Sequence, residues 1–188
     1  SAFGGSPAEA WISEESLKEF PVHYNELRRW KSDSLINAIT VSDQKRIQEW
    51  YNKLQQADEG SKPSGIKWSD PAMNTSDWKT TAIPGFWSAT DLKGINGVVW
   101  FRKEITVPAS AAGLPGNINL GRIVDADSSF LNGIFIGTVS YQYPPRRYTF
   151  PAGVLKEGSN ILTVKVISNI GDGGFVPEKP YDLTAGDF

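Results

Sequence analysis

The 188-residue sequence predicts a mainly β protein, in which a jelly-roll β-sandwich over residues 66–188 follows a helical segment over residues 1–60. Three observations lead to this prediction. There is a hairpin turn at Asn132-Gly133, apolar and polar residues alternate in long runs after Trp68, and helical periodicity stops before that residue. Residues 61–65 are rich in residues that break regular structure, and we predict that they form a linker.

The hairpin is predicted by Asn132-Gly133, which separates the apolar pairs Phe130-Leu131 and Ile134-Phe135. A two-residue type I′ turn needs positive φ at both central residues, and Asn-Gly adopts such a turn readily. Leu131 is then expected to face Ile134 across the ladder, and Phe130 to face Phe135. We interpret the pair of strands as the central hairpin of the sandwich.

Alternation predicts two long strands, at residues 97–108 and 161–167. The apolar face of the first is Val99, Phe101, Ile105 and Val107. Lys103 interrupts this face, which indicates an edge or rim at that point. In the second strand Leu162, Val164 and Val166 face one way, whereas Thr163 and Lys165 face the other. This pattern is typical of an antiparallel sheet with one face in water. A shorter edge strand is expected over residues 77–84.

Helix signals are confined to the first part of the chain. Ser13 is predicted to cap a short helix, and residues 23–31 are predicted to form a second one. A longer helix is expected to begin at Ser42 or Asp43 and to run to about Ala57, because apolar residues there recur with helical spacing.

Composition excludes several classes of protein. The net charge of −2 gives no reason to expect a nucleic-acid partner. No apolar run is long enough for a membrane span, and the chain has no cysteine for a disulfide or a thiolate metal site. The first five residues resemble the end of a buried strand and not a start signal, so we expect the chain to begin inside a larger protein.

Seven Trp, six Tyr and nine Phe make an aromatic-rich chain, so sugar stacking has to be weighed against core packing. Trp87 and Trp100 are candidate sugar platforms; the alternative, which needs no ligand and which we favour, is that both are core or domain-interface rings. In the run from Tyr141 to Tyr148, Arg146 and Arg147 could hold a carboxylate of a sugar acid bidentately while Tyr141 stacks on the ring. In the alternative interpretation, Tyr141 and Tyr148 pack inward and one arginine pairs with an acidic residue.

Asp125 and Asp127 are the candidate metal ligands, because carboxylate oxygens suit calcium. Alternatively, one of them accepts backbone N–H groups where the strand begins. No cofactor is expected.

A series of motifs then follows in order along the second part of the chain. They are Trp78, Pro84-Gly85-Phe86-Trp87, the stretch from Gly97 to Lys103, the stretch from Leu120 to Asp127, Asn132-Gly133, Gly137, Tyr141, Arg147-Tyr148 and Gly158-Ser159-Asn160. Together they resemble a jelly-roll domain of the galactose-binding-like type. Such a domain is similar to the sugar-binding domain of β-galactosidase-like glycosidases, and above all to the one inserted in bacterial sialate O-acetylesterases.

The first residues strengthen this resemblance. Gly4-Gly5-Ser6-Pro7-Ala8-Glu9-Ala10-Trp11 is similar to a Gly-Gly-Thr-Pro-x-Glu-x-Trp block of that family's SGNH-type esterase domain, with Ser6 in place of Thr. The resemblance implies that Gly4 or Gly5 supplies an oxyanion-hole N–H in the intact enzyme. It also implies that residues 1–60 belong to an α/β esterase domain of the same polypeptide.

The family's mechanism needs two further blocks that this sequence lacks. They are a Ser nucleophile in Gly-Gln-Ser-Asn and a His in Asp-x-x-His, whereas the sole histidine, His23, has Phe20 three residues before it. We expect the missing blocks to lie before residue 1 and after residue 188, and the chain alone to be inactive.

The resemblance implies a noncatalytic, carbohydrate-binding-like module of an enzyme that hydrolyses acetyl esters on sugars. Its partners would be the catalytic esterase domain and an acetylated glycan, with no nucleic acid and no membrane span. A periplasmic or secreted location is expected from the family. The alternatives are an independent carbohydrate-binding module and a structural insertion without a ligand.

Overall fold

The protein is described here by a computed structural model, and the structure describes residues 11–169, 171–177 and 179–188. The chain divides into two compact units between Lys53 and Leu54. The first unit is helical and the second is mainly β, so the predicted β-sandwich preceded by a helical segment is confirmed.

The helical unit contains α1 (Glu14–Leu17), α2 (Pro21–Trp30) and most of α3 (Asp33–Ala57), whose last turn belongs to the second unit. Ser13 caps α1 as predicted, because its Oγ accepts the N–H of Ser16 at 3.2 Å. The helix predicted over residues 23–31 corresponds to α2.

The predicted start of α3 at Ser42 or Asp43 is wrong, because the helix already begins at Asp33. Residues 33–41 include no glycine or proline that would end a helix. Serine often caps the start of a helix, but it can also lie within a continuous helix. Ser42 is such a residue within α3.

Few apolar side chains of the helical unit are buried. Among its described residues, 11–53, only Leu17 is buried. Its large exposed apolar residues are Trp11, Ile12, Phe20, Val22, Trp30, Ile36, Val41, Ile47 and Tyr51. These residues therefore do not enclose a hydrophobic core of their own.

The described residues of the β unit contain ten strands. They are β1 (Gly85–Phe86), β2 (Gly97–Val107), β3 (Gly116–Leu120), β4 (Ile123–Val124), β5 (Ala126–Leu131), β6 (Ile134–Val139), β7 (Arg147–Phe150), β8 (Gly158–Ser168), β9 (Gly174–Phe175) and β10 (Tyr181–Thr184). Short 3₁₀ turns lie at Glu59–Ser61 and Trp87–Ala89. The peptide bonds Ile83–Pro84 and Val124–Asp125 are cis.

The strands form antiparallel sheets. A four-stranded sheet has the order β2-β8-β5-β6, a three-stranded sheet the order β10-β3-β7, and a small third sheet the order β1-β9-β4. The core lies between the two larger sheets, where Val164 and Val166 of β8 pack with Ile118 and Leu120 of β3. A second apolar cluster around Leu131 and Phe150 closes the adjoining end.

The predicted hairpin is confirmed in its turn and in its register. Asn132 and Gly133 have φ values of 50° and 80°, and the strand residues pair as Leu131 with Ile134 and Phe130 with Phe135. The Asn132 side chain also ties the turn to β8, the strand that pairs with β5 in the sheet, because its Oδ1 accepts the N–H of Ile161 at 2.8 Å. This hairpin forms β5 and β6.

The alternation predicted that the outer face of the four-stranded sheet lies in water, but another segment of the chain covers this face. Thr163 is fully buried, and the Arg102 guanidinium donates to the carbonyls of Trp68, Asp70 and Pro71, which lie across the sheet. Alternation gives the direction of each side chain, but it does not show that a distant segment covers the outward face. The edge strand predicted over residues 77–84 is also wrong, since no strand forms there.

Candidate functional site

A buried polar cluster occupies the interior of the sandwich, centred on Asp127 of β5. Its carboxylate accepts from Arg146 Nε at 2.9 Å, from Ser129 Oγ at 2.9 Å and from Tyr148 Oη at 2.8 and 3.0 Å. Arg146 is 0% exposed, and its other nitrogens donate to the carbonyls of Pro144 and Asp125 at 2.7 and 2.8 Å. Every charged group in the cluster therefore has a partner.

Burial raises the pKa of the Asp127 carboxyl above its usual range, against hydrogen bonds from Tyr148, Arg146 and Ser129 that favour the ion. Burial and the neighbouring carboxylate likewise raise the pKa of Tyr148. A guanidinium keeps its charge, so Asp127 must stay ionised to balance Arg146 inside the protein. The cluster thus holds the scaffold together and offers no free group to a ligand.

Burial removes Arg146 from the predicted sugar contacts, because its guanidinium has no face open to solvent. The alternative interpretation is confirmed for Arg146 and for Tyr148, which pair with an acidic residue and pack inward. Tyr141 does not pack inward as that interpretation expected, because its ring is 55% exposed.

The two predicted tryptophan platforms also lie inside the protein. Trp87 is 2% exposed within the core, and Trp100 is 8% exposed beneath the segment that covers the outer face of the sheet. Neither ring presents a face on which a sugar could stack, so both take the alternative role of packing rings.

The Asp125 and Asp127 carboxylates have protein donors. Asp125 Oδ2 accepts the N–H of Asn169 at 2.8 Å, just after β8, which is the backbone role that the sequence allowed as the alternative to calcium. In the described part of the chain, no three His, Cys, Asp or Glu side chains form a group that could hold a metal ion.

A second polar cluster lies on the covered face of the four-stranded sheet and was missed by the sequence analysis. Asp58 Oδ1 accepts from Trp100 Nε1 at 2.8 Å and from the Gly60 N–H at 3.1 Å, and Oδ2 accepts from Lys165 Nζ at 2.5 Å and from Ser61 Oγ at 2.6 Å. The only local sign of it was an aspartate before a glycine-containing turn. Lys165 appeared as an ordinary residue of an outward face.

The Asp58 carboxyl has a pKa below its usual range. Burial alone would raise that pKa, but the hydrogen bonds from Lys165, Ser61 and Trp100 outweigh it by favouring the ion. The Lys165 ammonium also lies 5.6 Å from the centroid of a Trp100 ring, within range of a cation–π contact.

Two exposed tyrosine side chains lie in the loop that joins β6 to β7. Tyr141 and Tyr143 are 55% and 66% exposed, and their ring centroids are 6.4 Å apart with an edge-to-face angle of 67°. Arg147, the first residue of β7, is exposed as well. These three residues are called the tyrosine–arginine surface below.

The outer face of the three-stranded sheet continues from Arg147 as a polar row. Arg147 pairs in register with Asn119 of β3, whose Nδ2 donates to Asp182 Oδ1 of β10 at 2.6 Å. Tyrosine rings can stack on the apolar face of a sugar, and arginine and amide groups can bind its carboxylate and hydroxyls. Of the predicted sugar contacts, Tyr141 and Arg147 remain open to solvent.

The oxyanion-hole residues predicted from the resemblance, Gly4 and Gly5, lie outside the described residues, so that role stays a prediction. No helix among the described residues is long and apolar enough to cross a membrane.

No protein-family model matches the chain, and no curated protein matches it. Solved structures do match. A calcium-binding mutant of β-glucuronidase 2 from Bacteroides uniformis superimposes with a TM-score of 0.50 and 20% identity, over 57% of this chain and 15% of that chain. A β-glucuronidase from Faecalibacterium prausnitzii is 26% identical over 52% of this chain and 17% of its own, with a TM-score of 0.45.

The match to the Bacteroides uniformis enzyme shows the fold alone. A β-sandwich of this type occurs within a sugar-active enzyme, of which the matched part is 15% of the length. The comparisons therefore show that this β-sandwich fold also occurs in a β-glucuronidase, and they do not point to an esterase.

Removing the Asp127 carboxylate should destabilise the sandwich strongly. Asp127→Ala leaves Arg146 buried without a counter-charge, so we expect the free energy of unfolding to fall by about 3–5 kcal/mol. Tyr148→Phe removes one donor but leaves the ion pair, and should cost about 1.5–3 kcal/mol. Urea unfolding at neutral pH measures both. Equal losses for the two variants would show that the ion pair is not the dominant contact.

Asp58 should make stability depend on pH in the acid range. Its pKa is lower in the folded than in the unfolded chain, so its contribution is present above about pH 4 and is lost as pH falls through the folded-state value. We expect Asp58→Asn to cost about 1.5–3 kcal/mol at neutral pH and progressively less below pH 4, in urea unfolding.

The matched control for this measurement is Asp91→Asn, because Asp91 pairs with Lys79 at 2.9 Å while both side chains are largely exposed. That variant should change the free energy of unfolding little at any pH. A difference for Asp58→Asn that stays constant with pH would contradict the assigned ion pair.

Proposed function

We propose that this chain supplies a noncatalytic, sugar-facing β-sandwich to a larger carbohydrate-active hydrolase. We further propose that the parent enzyme is an O-acetylesterase of the sialate O-acetylesterase type, acting on acetyl esters of sugars. The observation that carries the proposal is the tyrosine–arginine surface, which keeps two aromatic rings and a cation in solvent while the other candidates are buried.

The chemistry of that surface fits an acidic sugar. Arg147 can hold a carboxylate by two parallel N–H···O bonds, and Tyr141 or Tyr143 can cover the apolar face of the ring. The row of Asn119 and Asp182 next to Arg147 offers both donors and acceptors for sugar hydroxyls. A polar, partly aromatic surface of this kind needs no deep pocket, which suits a long glycan better than a small metabolite.

The helical unit supports the proposal that this chain is part of a larger enzyme. Its described residues leave nine large apolar side chains exposed and bury only Leu17. Exposed apolar surface of this extent marks a protein interface. Packing against the catalytic esterase domain of the same polypeptide would cover it, in agreement with the Gly-Gly block that precedes these helices.

Sugar binding is tested by titrating the 188-residue chain with sialyl-lactose and with O-acetylated sialic acid in a calorimeter. We expect weak binding that Arg147→Ala reduces by about tenfold or more, because a charge-assisted contact is lost. Tyr141→Ala should reduce it as well. Tyr51→Ala is the matched control, since it removes an exposed tyrosine from α3.

Binding that survives both substitutions would place the sugar elsewhere. No binding of either ligand by the folded chain would favour a structural insertion. Tight binding to the chain alone, at micromolar concentration, would favour an independent carbohydrate-binding module.

The noncatalytic role is tested with p-nitrophenyl acetate. We expect no turnover above a heat-killed control, because the sequence lacks both the serine block and the histidine block that the esterase mechanism needs. Turnover by the native chain that is abolished by heat would contradict this role.

A further inference from the structure

The β unit also contains a cavity whose lining does not include Tyr141, Tyr143 or Arg147. β2 and β10 are edge strands of the two larger sheets, and residues of both line this cavity, which has a volume of about 450 Å³. Its lining is mainly apolar and includes Phe101, Ile105, Ile118, Leu120, Leu162 and Val164, with Leu183 of β10. The polar and charged residues that also line it include Thr81, Arg102, Lys103, Asn119 and Asp182. Ligand cavities in proteins have volumes in this range.

Lys103 is the charged residue that interrupts the apolar part of this lining. It lies between Phe101 and Ile105 on the inward face of β2, opposite Leu162 of β8, and its side chain is exposed. It is the same residue that interrupts the apolar pattern in the sequence. Among the described residues, no carboxylate pairs with its ammonium.

The neighbouring charges do not supply that partner. Arg102 alternates to the opposite face, where its guanidinium donates to the carbonyls of Trp68 and Asp70 at 2.8 and 2.7 Å. The Asp182 carboxylate accepts from Asn119 on the outer face of the other sheet. Arg102 and Asp182 also line the cavity, but their side chains have these other partners. The cavity thus combines a mainly apolar lining with the Lys103 ammonium, which has no carboxylate partner among the described residues.

We propose that this cavity binds an aliphatic carboxylate, with the hydrocarbon tail between the sheets and the carboxylate on Lys103. Sugar hydroxyls would find few partners on the apolar walls, and an unpaired polar group in such a place is costly. A hydrocarbon tail gains from leaving water, at about 0.8 kcal/mol per buried methylene group. The ammonium selects an anionic head, because charge-assisted hydrogen bonds are the stronger kind.

The experiment compares three ligands with the same tail: decanoate, decanol and decyltrimethylammonium. Each is titrated calorimetrically into the 188-residue chain below the concentration at which it forms micelles. We expect decanoate to bind more tightly than decanol, and the cation to bind most weakly. Lys103→Met should weaken decanoate by roughly two- to fivefold and leave decanol unchanged.

Two further variants make the test specific. Leu183→Trp puts a larger side chain into the lining of the cavity on the edge strand β10, and should weaken decanoate and decanol alike. Lys156→Met removes an exposed lysine that does not line the cavity, and should change neither. Urea unfolding confirms that each variant is folded.

The proposal fails if decanoate does not bind, or if Lys103→Met weakens all three ligands equally. It also fails if Leu183→Trp, shown to be folded, binds decanoate as the parent chain does. Arg147→Ala should leave decanoate binding unchanged, so this result and that of the sugar titration are independent.

Discussion

The fold of the β unit depends on one buried charge. The Arg146 guanidinium is fully enclosed, and an ion taken out of water in this way is tolerated only where its partners are complete. Asp127 of the four-stranded sheet neutralises it, and Tyr148 of the three-stranded sheet donates to the same carboxylate. The two sheets are therefore tied by a polar contact as well as by their apolar core. Gly137 of β6 makes room for this arrangement, because a Cβ there would lie 2.2 Å from the Tyr148 ring.

The charged and aromatic residues of the β unit fall into two groups: those that are buried and stabilise the fold, and those that are exposed to solvent. Trp87, Trp100 and Arg146 all have the chemistry of sugar recognition, and all three are buried in contacts within the protein. Trp100 belongs to a second network in which Asp58 and Lys165 fasten the covering segment to the sheet. Of the residues predicted to bind a sugar, Tyr141 and Arg147 remain open to solvent, and they form the tyrosine–arginine surface with Tyr143. Residue type alone thus overstates the number of binding residues in an aromatic-rich sandwich.

The two units differ in how completely they enclose their apolar residues. The β unit buries an apolar core and leaves a cavity lined by residues of the edge strands β2 and β10. The helical unit leaves most of its large apolar side chains in solvent. Apolar surface of this kind is stabilised by whatever covers it, since burial is the main favourable term in association. In the proposed parent enzyme, the helical unit would therefore be the part of the chain whose stability depends most on a partner domain.

The sequence by itself determined those features that rest on local geometry. Asn132-Gly133 gave both the turn and the register of its hairpin, because only a few residue pairs adopt positive φ twice in succession. Ser13 marked a helix start, and alternation identified β2 and β8. Tertiary structure decided that α3 begins at Asp33, that a segment around Trp68 covers the outer sheet face, and that Arg146 is buried whereas Arg147 is exposed. Such outcomes depend on residues far apart in the chain, which neither local propensity nor periodicity can bring together.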